Sequence, residues 1–286
     1  MRIAIIGADG QLGTDLLISL RNYDIHPLYF PEFDIIQKEK AYGILAGLAP
    51  DIVINTAAYN RVDEGEEEPA KIFALNAMAV RNLAISCDRI RCALVHFSTD
   101  YVFDGKKKTP YVEADCPNPL NVYGMSKLTG EYFIRSLLDQ YYIVRTSSLY
   151  GTAGCWDKGY NFVDMVVSME KNKLPLKIVN DQWVTPTSTY ELAERIKELI
   201  KTERFGLYHL TNEGQCSWYE YAKFIFKMMK IQPDMVSINS RGYGSKARRP
   251  AYSVLENMKA KKIGITEFSY WEDALRNYMI KKGYIK

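Results

Sequence analysis

Tyr123 and Lys127 stand four residues apart, a spacing that places both on one face of a helix. A tyrosine ionises near pH ~10 in water, so proton transfer near neutrality is helped by an adjacent ammonium that stabilises the phenolate. Lys127 supplies that charge. Asn118 followed by Pro119 predicts the N-cap and first residue of the helix. The pattern alone is cheap, because a chain with 21 tyrosines repeats it at Tyr219/Lys223 and Tyr278/Lys282. What separates the first pair is its place after residues 93–98, an apolar run that breaks into Ser98-Thr99-Asp100-Tyr101-Val102-Phe103-Asp104-Gly105. Ligands of doubly wound sheets gather at the carboxyl ends of strands. Thr99 is therefore the expected hydrogen-bond partner of a substrate carbonyl, beside the tyrosine that protonates it, with Ser98 as its nearby competitor.

A second constellation follows the apolar residues 3–6: Gly7-Ala8-Asp9-Gly10-Gln11-Leu12-Gly13, leading into a helix-like stretch over residues 14–22. Glycines between a first strand and a first helix permit a tight turn, close approach of backbone to a pyrophosphate, and close helix–strand packing, with the anion at the helix N-terminus. The segment thus reads as a dinucleotide site in which Lys127 would also hold the nicotinamide ribose. An acidic residue that takes ribose hydroxyls is expected where strand two ends. Here the strand ends Leu28-Tyr29-Phe30-Pro31, with no arginine nearby for a 2′-phosphate, so NADH and NADPH both stay open.

These residues need a scaffold, and the chain alternates short β-rich runs (2–6, 25–30, 52–55, 93–98, 142–146 and 206–210) with helical apolar spacing such as Leu16, Leu17 and Leu20. The alternation predicts an α/β fold, a Rossmann-type doubly wound parallel sheet with helices on both faces. Past Tyr150 the rhythm breaks at Gly151, Gly154 and Gly159, before a helical stretch at 161–171 and an extended one at 176–187. We therefore expect a dinucleotide-binding domain over residues 1–150 with a return at about 188–212, and a smaller substrate-binding region over most of 151–286.

Composition narrows the function classes. With 47% hydrophobic and 25% charged residues, a packed core is expected throughout. A net charge of +3 argues against nucleic acid as a partner. Five cysteines without ligand spacing suit reduced thiols and no structural zinc. Met1 and Arg2 run directly into the first strand, and no apolar run has membrane-spanning length, so a cytoplasmic protein without a membrane partner is expected. His26, His96 and His209 read as core or edge residues, and no metal site is predicted. Lys106-Lys107-Lys108 reads as solvated surface, whereas Arg249, beside Lys246 and Arg248, could fork onto a diphosphate. Asp63-Glu64-Gly65-Glu66-Glu67-Glu68 reads as carboxylates favouring a helix N-terminus.

The motif 98–105, with Asn121-Val122-Tyr123-Gly124-Met125-Ser126-Lys127-Leu128-Thr129-Gly130-Glu131, closely resembles the dTDP-4-dehydrorhamnose reductase family. So do residues 55–58, Arg145-Thr146-Ser147, Asn180-Asp181-Gln182 and Arg249-Pro250-Ala251-Tyr252-Ser253-Val254-Leu255. The resemblance implies Thr99, Tyr123 and Lys127 as catalytic residues. It implies cofactor contacts from Gly10, Gln11, Leu12, Asp34, Ile35, Ala57, Ala58 and Tyr59, and sugar contacts from Thr99 and Asp100. The implied reaction reduces the 4-keto group of a dTDP-linked 6-deoxyhexose with NADPH or NADH, Tyr123 protonating the oxygen. A homodimer and an association with Mg²⁺ are likewise implied by the family alone.

One departure matters: the family often carries a tryptophan near the sugar where Ser148 follows Thr146-Ser147 here. Ser148 and the loop 151–160 are where a reductase or epimerase of another nucleotide sugar would differ. A rival of another class is a non-catalytic regulatory subunit resembling that of methionine adenosyltransferase, against which retention of Thr99, Tyr123 and Lys127 counts.

Overall fold

In β1 (Arg2–Ile6) every side chain from Ile3 onward is buried, as a strand with neighbours on both edges and helices on both faces requires. The chain continues through α1 (Gln11–Ser19), β2 (Asp24–Leu28), α2 (Lys38–Leu48), β3 (Ile52–Asn55), α3 (Val62–Gly65), α4 (Pro69–Phe73), a π-helical stretch (Ala74–Ala79) and α5 (Val80–Ile90). Next come β4 (Ala93–Thr99), α6 (Val122–Leu137), β5 (Tyr141–Thr146), β6 (Leu149–Tyr150), α7 (Phe162–Lys171), β7 (Leu176–Val179), β8 (Trp183–Val184) and β9 (Thr187–Ser188). The last third holds α8 (Thr189–Leu199), β10 (Gly206–His209), β11 (Cys216–Ser217), α9 (Trp218–Met229), β12 (Met235–Ile238), α10 (Ser240–Tyr243), α11 (Met258–Lys262) and α12 (Trp271–Lys281). The structure, a computed structural model, describes residues 1–154 and 159–286. Cys155 and the centre of the loop 151–160 lie outside the described residues.

Six strands form one parallel sheet in the order β2-β1-β3-β4-β5-β10. The winding reverses between β1 and β3, so a crevice opens at their carboxyl ends, where Gly7 and Asn55 emerge. Ile3, Ile5, Val95 and Phe97 pack on one face with Leu16 of α1, with Leu20 at its C-cap and with Leu192, Ala193 and Ile196 of α8. Ala4, Ile6 and Leu94 pack on the other with Leu45 of α2, Leu83 of α5 and Ile134 of α6. This is a Rossmann-type doubly wound α/β fold. A separate core gathers Tyr150, Val163, Val166, Ile178, Tyr221, Phe226 and Leu275 from β6, α7, β7, α9 and α12. Three small pairs, β6 with β9, β7 with β12 and β8 with β11, frame it.

The placement of α6 is set by close contact and by charge. A Cβ on Gly124 would stand 2.3 Å from the Tyr101 carbonyl oxygen, so only glycine lets the first turn seat against the segment after β4. Deeper in, Glu131 accepts a fork of hydrogen bonds from Arg145 of β5, at 2.9 and 2.7 Å, and one from Ser98 of β4 at 2.5 Å. Glu131 and Arg145 are 0% and 2% exposed, which makes this a fully buried ion pair.

Two sequence expectations shift by a few residues. The N-cap of α6 is Asn121, not Asn118: the Asn121 side chain accepts from Gly124 N at 2.8 Å, and Glu66 Oε1 accepts from Val122 N. Asn118 instead donates to Asp104, and its N–H to the Val102 carbonyl, so Pro119 lies in the approach to the helix. Strand two stops at Leu28, leaving Tyr29 beyond the sheet and 39% exposed.

Arg145→Met leaves the Glu131 carboxylate buried without its cation, and such a change costs about 3–5 kcal/mol. Urea unfolding should show that loss, with much of it recovered when Glu131→Leu is added. A single variant within about 1 kcal/mol of wild type would deny the pair its role in holding α6.

Candidate active site

Thr99 ends β4, and Tyr123 lies in the first turn of α6, so strand end and helix start face the same cleft. The cleft encloses about 180 Å³ and is lined by Asn60, Val62, Thr99, Asp100, Tyr101, Tyr123, Ser148 and Trp218. Thr99 Oγ1 accepts from Tyr101 N and donates to Asp100 Oδ1, both at 3.1 Å. Ser98, the competing hydroxyl, points to the opposite side and is committed to Glu131. The Tyr101 ring meets that of Tyr123 edge-on at 6.0 Å.

Asp100 is 3% exposed and accepts three hydroxyls, from Thr99, Ser147 at 3.0 Å and Ser253 at 2.5 Å. Burial pushes its carboxyl up to about 6, against the pull of those hydroxyls. Ser147 and Ser253 had no assigned role in the sequence reading. Their partner is separated from them by 47 and 153 residues, and no local spacing encodes that meeting.

Beneath Tyr123, Lys127 is 2% exposed, and burial pushes its ammonium down to about 8 while Glu131 pulls it up. Its Nζ lies 3.5 Å from Nε2 of His96 on β4, and His96 Nδ1 lies 3.2 Å from Asn55 Nδ2 on β3. Asn55 and His96 are register partners across the sheet, which sets their side chains next to each other.

The glycine turn forms a cradle that a dinucleotide phosphate fits. Gly10 precedes α1 with no side chain capping its first N–H groups, so the helix N-terminus is open to an anion. A Cβ on Gly13 would stand 2.2 Å from the Gly7 carbonyl oxygen, so the helix can press on the turn only with glycine there. Gln11 donates to the Leu149 carbonyl, while its Oε1 is buried without a partner. Leu12 and Ile35 are enclosed in the two cores, leaving their backbones as all they can offer a ligand. Asp34 Oδ1 accepts from Ile36 N. Ala57 N–H is bound by Asn55 Oδ1, Ala58 O accepts from Asn60, and Tyr59 N–H is bound by Asn76 of the π-helical stretch.

A family model described as RmlD substrate binding domain matches residues 1–283. The chain belongs to the dTDP-4-dehydrorhamnose reductase family. It is 36% identical over 280 residues to the spore coat polysaccharide biosynthesis protein SpsK of Bacillus subtilis, covering 97% of this chain and 96% of that one. It is 36% identical over 291 residues to a dTDP-4-dehydrorhamnose reductase of Aggregatibacter actinomycetemcomitans, covering 96% and 97%. A crystal structure of the Bacillus anthracis dTDP-4-dehydrorhamnose reductase in complex with NADP superposes with a TM-score of 0.93 at 36% identity, over 98% of this chain and 99% of that one.

Against that family, the place of Ser148 is informative. The cleft is not left without an aromatic wall: Trp218 reaches it from the first position of α9. A capping box between Ser217 and Glu220 pins that helix start, and Phe162 packs on the indole at 4.7 Å. Sequence reading missed Trp218 because it lies 70 residues beyond Ser148.

Arg249, the candidate diphosphate contact, forks its guanidinium onto Asp63 at 3.1 and 2.7 Å. The acidic run is likewise more than a dipole partner. Asp63 also accepts from Ala247 N, Glu67 pairs with Lys246, and Glu66 caps α6, so the run ties residues 246–249 to α3 and α6. Among the described residues no three His, Cys, Asp or Glu side chains group as metal ligands. No helix among them is long and apolar enough to cross a membrane.

Because Asp100 binds a proton more tightly folded than unfolded, its ionisation weakens the fold. The loss develops as pH rises from the usual 3.8 through about 6 and amounts to roughly 3 kcal/mol. Asp100→Asn should therefore gain stability relative to wild type across that window in urea unfolding. A difference independent of pH would mean that Asp100 does not titrate there.

Proposed function

We propose that this reductase converts dTDP-4-dehydro-L-rhamnose to dTDP-L-rhamnose with NADPH or NADH. The observation that carries the reading is the convergence of Thr99 and Tyr123 on one cleft above buried Lys127, next to the crevice between β1 and β3. Gly7, Gly10 and Gly13 would hold the phosphates of the dinucleotide and residues 55–59 would line its path, and the cofactor would supply the hydride that reduces C4. Tyr123 donates its phenolic proton to the ketone oxygen, and Lys127, one turn on, stabilises the phenolate left behind. Thr99 steadies the same oxygen by turning its hydroxyl from Asp100, whose carboxylate keeps Ser147 and Ser253 as donors. Ser148 and Trp218 bound the sugar, the indole face taking the role that the family gives to a tryptophan in the position of Ser148.

Within this reading, residues 1–150 with the return at 188–212 form the dinucleotide domain, and the remainder of 151–286 forms the substrate region. The separate cores of the two parts support that division. The protein acts in the cytoplasm, and a homodimer follows from the family.

The test follows NADPH and NADH absorbance with dTDP-4-keto-6-deoxyglucose and its 3,5-epimerase. Oxidation that requires the epimerase supports the rhamnose-forming reaction. No oxidation by protein that still binds dinucleotide would move the activity to another nucleotide sugar. Tyr123→Phe should lower kcat by about 10²–10⁴-fold with dinucleotide affinity unchanged. Trp218→Ala should raise KM for the sugar nucleotide roughly tenfold, the loss of one aromatic contact of about 1.4 kcal/mol, with kcat nearly preserved. An unchanged KM would remove the indole from the sugar site.

A further inference from the structure

Ser148 has φ +47°, in the left-handed region that L side chains rarely adopt and that glycine would occupy at less cost. It is clamped there: Thr146 before it ends β5, Leu149 after it begins β6, and its carbonyl accepts from Thr187 N at 3.3 Å. In that conformation Ser148 lines the cleft with Thr99, Asp100 and Tyr123. Hydrogen-bond direction decides what its hydroxyl can offer. At neutral pH the Asp100 carboxyl, which titrates at about 6, is ionised and only accepts. Ser147, 1% exposed, donates its hydroxyl hydrogen to Asp100 Oδ2 at 3.0 Å, a bond strengthened by the carboxylate charge. Ser147 Oγ also lies 3.3 Å from Ser148 Oγ. With the Ser147 hydrogen committed, the hydrogen in this second contact belongs to Ser148. A hydroxyl has one hydrogen and two lone pairs, so Ser148 is left facing the cleft as an acceptor. An indole, which the family often carries at this place, has an N–H donor and no acceptor.

We infer that Ser148 is a specificity-determining residue whose hydroxyl accepts a hydrogen bond from a free ring hydroxyl of the sugar, at C2 or C3. The inference rests on the reductase reading, which puts the C4 oxygen between Thr99 and Tyr123. In a 4-keto-6-deoxyhexose C1 carries the diphosphate, C4 the ketone and C6 no oxygen, so C2 and C3 hold the hydroxyls that can donate. The cleft is thereby suited to sugars that keep both hydroxyls, and it selects against dideoxy sugars at the carbon facing Ser148. Asp100 sets the polarity of both ends of this short chain. On one side it holds Thr99 for the ketone, and on the other it takes the Ser147 hydrogen and so turns Ser148 into an acceptor. The strained turn delivers that oxygen to the cleft, where a relaxed backbone would aim the side chain elsewhere.

The experiment titrates the full chain, holding NADP⁺, with dTDP-L-rhamnose, its 2-deoxy and 3-deoxy counterparts and the matching fluoro sugars, by calorimetry. In wild type one of the two deoxy sugars should bind about tenfold more weakly than dTDP-L-rhamnose, the worth of one hydrogen bond. Fluorine accepts but cannot donate, so the fluoro sugar at that carbon should bind no better than the deoxy sugar. Ser148→Ala should weaken dTDP-L-rhamnose by the same factor and abolish discrimination at that carbon alone, whereas a mere loss of packing would weaken every sugar alike. Discrimination retained in Ser148→Ala, or a fluoro sugar that binds as tightly as its hydroxyl parent, overturns the proposal. Ser148→Gly, unstrained in the left-handed region, gives the same comparison if the alanine variant does not fold. If dTDP-L-rhamnose does not bind to protein that holds NADP⁺, the reductase reading falls and this inference with it. If it binds with no loss that depends on Ser148, this inference falls alone.

Discussion

The buried fork between Glu131 and Arg145 is the constraint on which the site depends. Taking both charges out of water is costly, and the cost is offset only if geometry is close and the remaining lone pairs find donors. Ser98 supplies one such donor, so three elements, β4, β5 and α6, are held to one another at a single carboxylate. Every residue on the inner face of α6 inherits that position, including Lys127 one turn away and Tyr123 at the start of the helix. A leucine in place of Glu131 could fill the volume, but it would not specify this rotation of α6 over the sheet.

A second carboxylate joins the two halves. Asp100 collects hydroxyls from the end of β4, from the turn after β5 and from Ser253 near the far end of the chain. The acidic run does the same at the rim, where Asp63 and Glu67 hold Arg249 and Lys246. The segment 246–253 is therefore tethered to the end of β4 and to the acidic run by polar contacts. Such contacts can be exchanged for ligand contacts at low net cost, because each hydrogen bond is worth only about 1 kcal/mol net.

Much of the fold was legible beforehand because periodicity and burial coincide. Strands buried on both faces read as unbroken apolar runs, and β3 and β10 fall where those runs stand. The boundaries that moved did so for local reasons a linear reading underweights. Asn121 won the cap of α6 over Asn118 because its side chain reaches Gly124 N while Asp104 engages Asn118. Trp218 stayed hidden because an aromatic at a helix start has no signature separating a cleft wall from a core residue.

By itself the sequence determined the pairing of Tyr123 with Lys127, the glycine turn and the alternation that builds the sheet, since each depends on spacings that helices and strands impose locally. Tertiary structure alone decided which groups those residues meet. His96 beneath Lys127, Asp63 against Arg249 and Ser253 on Asp100 lie 31, 186 and 153 residues apart. Their meetings follow from strand order and helix packing, through which chain separation carries no information about distance.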